Sequence, residues 1–301
     1  MRVLIIGLGS IAQKHINALK ILDKSVILFA LRSNINAENI NVVQNIYSFE
    51  EIHKLNLDFI IISNPTGLHF QTLERLKEFK LPLFIEKPLF DKTGVLQDEL
   101  VKSINTPTYV ACNLRFLDSI IKIKEIVKSE RVNEVNVYCG SYLPDWRPNV
   151  DYKTVYSSNK EMGGGVHIDL IHELDYVFWL FGTPKHTKSF FSNNSSLNIS
   201  AHDYANYLWE YDKFAVSIVL NYYRKNAKRS LEIVCESGTY FIDLLNNTIS
   251  FNDKIIFESS QRIADTYNKQ MIFFIHQVLK NNDDFNSIDQ ANNILKLCLR
   301  D

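Results

Sequence analysis

The sequence has no excess charge of one sign, no paired cysteines and no long apolar run. Lys and Arg total 33 against 34 for Asp and Glu, a formal net charge of −1. That leaves no electrostatic footprint for nucleic acid or another polyanion. The four cysteines, Cys112, Cys139, Cys235 and Cys298, are widely separated, with no C-x-x-C pair. Such spacing fits reduced thiols in a cytoplasmic protein better than a disulfide framework or a zinc site. No segment approaches the roughly 18 uninterrupted apolar residues of a membrane span. The apolar run at the N-terminus stops at Gly7, too early for the core of a secretion signal. A cytoplasmic protein with no membrane or nucleic-acid partner is expected. Internal repeats and low-complexity linkers are also lacking, so the 301 residues are expected to form closely joined domains.

What the sequence does have is concentrated in Met1–His15, MRVLIIGLGSIAQKH. Arg2–Ile6 is a short apolar, β-rich run suited to a buried parallel strand. It breaks at Gly7-Leu8-Gly9-Ser10-Ile11-Ala12, a match to the G-x-G-x-x-G/A dinucleotide fingerprint. Ile11, Ala12, Ile16 and Leu19 then recur at helical spacing. In such a turn the first glycine permits the tight bend and the second lets a pyrophosphate approach the backbone. The alanine lets helix and strand pack closely, and the phosphates meet unsatisfied N–H groups at the positive end of the helix. Its place between a strand and a helix favours dinucleotide binding over a bare structural turn.

Further strands are predicted at Ser25–Leu31, Val43–Tyr47, Asp58–Ser63, Leu81–Ile85 and Thr108–Cys112. Helical periodicity lies between them at Ser48–Leu55, Leu68–Phe79 and Asp91–Ser103. This alternation predicts an α/β fold, with residues 1–113 forming a Rossmann-type doubly wound parallel sheet. Ligands of such sheets bind outside the carboxyl ends of the strands. Arg32, Asn64 and Lys87 each follow a predicted strand and should line one crevice. No Asp or Glu follows the second strand, where a ribose 2′-hydroxyl is commonly held. Arg32 and Ser33 suit a 2′-phosphate instead, which favours NADP(H) over NAD(H) and leaves a plain surface Arg as the other reading.

From residue 114 the pattern changes. An amphipathic helix is predicted at Phe116–Lys128 and a half-buried strand at Glu134–Ser141. Antiparallel strands follow at Lys188–Phe191, Asn206–Tyr211, Ala215–Tyr222, Ser230–Cys235 and Thr239–Asp243, with turn sites at Asp212-Lys213, Ser237-Gly238 and Asn246-Asn247. Two helices are predicted at Ile263–Leu279 and Ser287–Leu299. The expectation is a second, α+β domain over 114–301 with a largely antiparallel open sheet.

Three stretches carry chemistry. Glu86-Lys87-Pro88 puts a charged pair at the end of an apolar strand. A partly desolvated lysine there would be useful for proton chemistry on a hydroxyl, and an ordinary Lys–Glu pair is the alternative. In Gly163–Asp175, GGGVHIDLIHELD, the residues Val166, Leu170, Leu174, Val177 and Phe181 form one helical stripe. A helix starting near the triple glycine puts Asp169 and His172, three apart, side by side on another flank. A carboxylate orients an imidazole and stabilises its charged form, as general acid–base work requires; a surface i,i+3 pair is the alternative. His167 sits about 140° around the helix from His172. That argues against a metal site of His167, Asp169 and His172, and no metal is expected. Finally, the loop Tyr142–Asn159 brings Trp146 and Arg147, a pairing suited to a sugar, phosphate or carboxylate or simply to a packed surface loop.

These motifs together resemble the Gfo/Idh/MocA oxidoreductases, the family of glucose–fructose oxidoreductase and inositol dehydrogenase. The resemblance runs through GLGSIAQKH (Gly7–His15), SNPTGLH (Ser63–His69), EKPL (Glu86–Leu89), NLRF (Asn113–Phe116) and GGGVHIDLIHELD (Gly163–Asp175). It implies Lys87 as the residue that positions and polarises the reacting hydroxyl, His172 as general acid–base and Asp169 as its neighbour. Family members often carry the aspartate four residues before the histidine, whereas here the interval is three. The resemblance further implies cofactor contacts from Gly7, Leu8, Gly9, Ser10, Ile11, Arg32, Ser33, Ser63, Asn64, Pro65, His69, Glu86 and Lys87. Substrate contacts are expected from Asn113, Arg115, Trp146, Arg147 and Tyr152. The implied activity is NAD(P)-dependent oxidoreduction of a secondary alcohol or ketone of a sugar, sugar acid or nucleotide sugar. The Trp146 loop and the HELD ending are similar to those of members that act in surface polysaccharide synthesis. NAD-dependent glycosidase chemistry, or a non-catalytic cofactor-binding sensor or scaffold, are the alternatives. A homodimer or homotetramer through the second domain's sheet is expected by analogy.

Overall fold

A strand such as Phe59-Ile60-Ile61-Ile62, apolar at every position and buried at every position, needs cover on both sheet faces. The first half of the chain is built of such strands. The computed structural model describes residues 1–36, 40, 42–281 and 285–299. The chain divides into two compact units: Met1–Cys112 with Tyr267–Leu295, and Asn113–Thr266 with Lys296–Asp301.

In the first unit, β1 (Arg2–Ile6) leads into α1 (Ser10–Leu22), then β2 (Ile27–Leu31) and β3 (Val43–Ile46). A short 3-10 turn, Glu50–Lys54, precedes β4 (Phe59–Ile62), α2 (His69–Leu76), β5 (Leu83–Ile85), α3 (Val95–Ser103) and β6 (Thr108–Val110). The strands pair in the order β3-β2-β1-β4-β5-β6, all parallel. The order reverses beside β1, so the loops after β1 and β4 leave the same edge as neighbours. This is the doubly wound sheet that the alternation predicts.

The second unit opens with α4 (Asp118–Ile126) and the long strand β7 (Val132–Tyr142). After the Trp146 loop come α5 (Val166–Asp169) and α6 (His172–Phe181). The strands β8 (His186–Ser192), β9 (Tyr204–Glu210), β10 (Ala215–Asn221), β11 (Tyr223–Cys235), β12 (Gly238–Asp243), β13 (Thr248–Phe251) and β14 (Lys254–Glu258) follow. They form a sheet ordered β14-β13-β12-β11-β7-β10-β9-β8. The pairing of β10 with β7 is parallel and the others are antiparallel. One face is core: Val135, Val137, Val216, Ile218, Leu231, Ile233 and Ile242 are buried. The other face is open and exposes Phe190, Leu208 and Phe241.

Two departures from the sequence reading matter here. The stripe through Val166–Phe181 is buried along most of its length, yet the helix is interrupted at Leu170-Ile171. Asp169 therefore closes one helix and His172 opens the next. Second, the segment expected to belong to the second domain throughout returns to the first unit. Helix α7 (Thr266–Phe273) continues through a π turn, Phe274–Val278, into α8 (Leu279–Asn281), and α9 (Ile288–Leu299) follows. Phe274 packs edge-on to Phe59 and Phe84 under the parallel sheet. Asn286 donates from Nδ2 to the Val110 carbonyl at 2.6 Å and accepts the Val110 N–H at 2.9 Å, closing the free edge of β6. Among the described residues no helix is long and apolar enough to cross a membrane.

Candidate active site

Gly7 ends β1 with a φ of +93°, a region glycine enters without steric cost. A Cβ there would lie 2.4 Å from the amide nitrogen of Asn64. The turn is thus pressed against the exit of β4, where Ser63 Oγ donates to the Gly7 carbonyl at 2.8 Å. Gly9 is the contrast, because a Cβ on it would meet nothing within 4 Å. It precedes α1, which has 13 residues, no acidic residue in its first turn and no side-chain cap. Among the described residues nothing fills the space over Gly9 and no side chain caps the first-turn amides; a phosphate group suits both. Leu8 and Ile11 are half-buried around this turn and Ser10 is exposed.

Asn64 adds a second mark of a ligand site. Its Nδ2 donates to Thr72 Oγ1 at 2.9 Å, while its Oδ1 is buried and accepts no hydrogen bond. These features fit a bound dinucleotide, as the fingerprint requires. Beyond Pro65, His69 joins two strand-end loops: its ring nitrogens lie 3.0 Å from the Asn64 carbonyl and 3.1 Å from that of Leu89. Burial pushes the His69 pKa below its ordinary value, so the ring is neutral at pH 7 and donates to one of the two carbonyls. At the end of β2, the Arg32 N–H donates to the Ile46 carbonyl at 2.9 Å; its side chain is half-buried and Ser33 is exposed.

The loop after β5 carries Glu86-Lys87-Pro88. Glu86 is buried, with Oε1 2.6 Å from Nε2 of His15 on α1 and Oε2 accepting the Lys87 N–H at 3.2 Å. The Lys87 side chain is half-buried and the Lys87-Pro88 peptide is cis.

The second unit holds the remaining residues. Asp169 Oδ2 accepts the Tyr222 hydroxyl at 2.6 Å, and His172 is half-buried at the start of α6. Trp146 is 38% exposed, with Nε1 donating to Ser141 Oγ at 2.9 Å and its ring edge-on to Tyr222 at 5.3 Å. Arg147 is exposed nearby, and Tyr152 donates from its hydroxyl to the Leu197 carbonyl at 3.1 Å. Of the triple glycine, Gly164 is packed against the chain's own backbone, since a Cβ there would lie 2.0 Å from the Tyr156 carbonyl oxygen.

Arg115 and Asn113 differ from expectation. Arg115 is 1% exposed and is committed to Asp175 by two bonds of 2.9 and 2.7 Å, an interior clamp rather than a substrate-facing cation. Asn113 is buried and donates to Thr266 Oγ1 at 2.6 Å. The HELD carboxylates are both accounted for in this way, because buried Glu173 pairs with Arg229 through bonds of 2.6 and 3.1 Å.

Comparison with known proteins agrees with both units. The profile described as the oxidoreductase family, NAD-binding Rossmann fold, matches residues 1–103, and that of the GFO/IDH/MocA C-terminal domain matches residues 120–241. The chain belongs to the Gfo/Idh/MocA oxidoreductase family. A relative named myo-inositol 2-dehydrogenase, from Thermotoga maritima, is 25% identical over 195 residues, covering 60% of this chain and 55% of the relative. The chain spans about half the length of the curated relatives it matches. A solved myo-inositol 2-dehydrogenase from Lactobacillus plantarum superposes with a TM-score of 0.80 at 20% identity, over 99% of this chain and 95% of that one. The WlbA dehydrogenase of Bordetella pertussis, solved with NADH and UDP-GlcNAcA, gives 0.79 at 17% identity, over 98% and 93%. At these identities the solved structures show a shared fold. Sequence reasoning missed His15 and Tyr222 as partners of Glu86 and Asp169. They lie 71 and 53 residues from those partners, and no motif spacing connects them.

Proposed function

We propose that the chain is an NAD(P)-dependent oxidoreductase acting on a secondary alcohol, or the matching ketone, of a polyol, sugar, sugar acid or nucleotide sugar. The observation that carries this reading is the unfilled space over Gly9 at the uncapped start of α1. A ligand phosphate there is stabilised by the first-turn amides, with Gly7–Ile11 holding the pyrophosphate. Asn64 offers its free Oδ1 to a donor on the same ligand, beside Ser63 and Pro65. At the end of β2, Arg32 and Ser33 supply a cation and a hydroxyl with no competing carboxylate from 31 to 36, which favours NADP(H) over NAD(H).

The bound nicotinamide supplies the hydride acceptor for oxidation and the donor for reduction. The chain's own part is charge and proton handling. The Lys87 ammonium stabilises the alkoxide as the substrate hydroxyl ionises. His172 takes the proton of that hydroxyl, and Asp169 orients the imidazole. Trp146 and Arg147 offer a ring face and a cation to a hydroxylated, anionic substrate. The names of the myo-inositol and UDP-sugar relatives support a hydroxyl-bearing ring as substrate. Association between copies is assigned to the open face of the second unit's sheet, where Phe190, Leu208 and Phe241 are exposed.

The test is cofactor absorbance during incubation with polyols, sugars, sugar acids and nucleotide sugars, with NAD(P)+ or, for keto forms, NAD(P)H. Wild type and Lys87→Met are run in parallel. Turnover by wild type that is lost in Lys87→Met supports the reading. Turnover undiminished in the variant removes Lys87 from it. Free sugar released without net change in cofactor points to glycosidase chemistry, and nucleotide binding without turnover to a sensor or scaffold.

A further inference from the structure

The break at Leu170-Ile171 removes the simplest means of fixing Asp169 beside His172, a continuous helix. Something outside the helix has to set the carboxylate. Tyr222, just after β10, is fully buried and meets Asp169 from the sheet. Its hydroxyl donates to Asp169 Oδ2 at 2.6 Å. Burial pushes the phenol well above its ordinary pKa and the charge of Asp169 adds to this, so the hydroxyl keeps its proton and remains the donor.

Tyr222 is fixed in its turn. Its N–H donates to the Asp203 carbonyl at 3.0 Å, and its own carbonyl accepts the Leu143 N–H at 2.8 Å, at the start of the Trp146 loop. The Trp146 ring stands edge-on to it, with 88° between the planes. One side chain thus touches the loop expected to cover the substrate and the carboxylate expected to orient the base.

We propose that Tyr222 is a positioning residue for the reaction: it anchors Asp169 in place of the missing helical turn and registers the Trp146 loop against it. This rests on the functional reading above. A hydrogen bond to an ionised carboxylate is short and directional, so its loss lets Asp169 rotate away from the orientation that His172 needs.

Tyr222→Phe removes the hydroxyl and keeps the ring against Trp146. With a substrate found in the panel, kcat is expected to fall about ten-fold, part of the roughly 10²–10⁴-fold that general acid–base catalysis supplies, because the base itself is kept. KM and nucleotide affinity should stay within about two-fold, since a roughly ten-fold change would need 1.4 kcal/mol of lost binding. Asp169→Asn should lower kcat at least as far, and the double variant no further than Asp169→Asn alone. Losses that multiply, or a Tyr222→Phe kcat equal to wild type, overturn the proposal and leave the functional reading standing. Urea unfolding of the same four proteins reads the bond without turnover. The double variant's midpoint is expected no lower than that of the worse single variant, and independent, additive shifts count against the anchor. A wild type silent on every substrate, with nucleotide bound, removes the functional reading and this proposal with it.

Discussion

Glu86 Oε1 lies 2.6 Å from His15 Nε2, and the imidazole is fully buried. This contact joins the helix that follows the nucleotide turn to the loop that presents Lys87. The other carboxylate oxygen takes the Lys87 N–H, so the pair fixes the backbone from which the proposed alkoxide-stabilising lysine extends. His15→Ala leaves a buried carboxylate without its partner and should destabilise by about 3–5 kcal/mol. His15→Gln, which restores a donor, should cost less. Chemical denaturation gives both values, and a His15→Ala change within about 0.5 kcal/mol, the range of a neutral surface substitution, would mean that the contact does not hold the loop.

The two glycines of the fingerprint should separate cleanly when each is changed to alanine. Gly7→Ala meets the Asn64 backbone at 2.4 Å with φ at +93°, so it should lower stability by at least about 1–3 kcal/mol. Gly9→Ala meets nothing among the described residues and should unfold like wild type. Its methyl group occupies the space assigned to a phosphate, so nucleotide affinity should drop roughly ten-fold or more, equivalent to about 1.4 kcal/mol. Thermal melts with and without NADP+ or NAD+ distinguish the two. Equal ligand-induced stabilisation of wild type and Gly9→Ala would count against phosphate binding at this turn.

His69 gives the fold a pH dependence of defined sign. Its pKa is depressed in the folded chain by burial, so below about pH 6.5, the usual imidazole value, the unfolded chain binds more protons than the folded one. The stability present above that pH is therefore lost progressively as pH falls toward the folded-state value. Melting temperatures measured from pH 7.5 down to pH 5 should decline, and less steeply in His69→Gln. Parallel declines in the two proteins would assign the effect to other groups.

The parallel sheet was legible because strands buried on both faces are near-continuous apolar runs, as in Asp58–Ser63. The fingerprint and the Glu86-Lys87-Pro88 loop were legible because each is a local pattern. The hairpin β13–β14 was missed although its turn, Asn252-Asp253, carries φ values of +46° and +65° at the two residue types that tolerate them. The strands beside it are short and weakly alternating, so that signal had little to frame it. The helix break at Leu170-Ile171 was hidden, because the apolar stripe passes through it unbroken. Arg115–Asp175 and Tyr222–Asp169 join residues 60 and 53 apart, and periodicity cannot show which distant charges the tertiary fold pairs.

The return of Tyr267–Leu295 to the first unit has a consequence for how the chain is made. Synthesis runs from the N-terminus, and domains that are continuous in sequence fold as they emerge. Here the parallel sheet emerges early, but Phe274, which packs against Phe59 and Phe84, and Asn286, which closes the edge of β6, come only after the whole second unit. Until then the sheet has an open edge and an uncovered aromatic patch. When the chain has emerged as far as about residue 266, the second unit is nearly complete while the nucleotide-binding unit still waits for its cover.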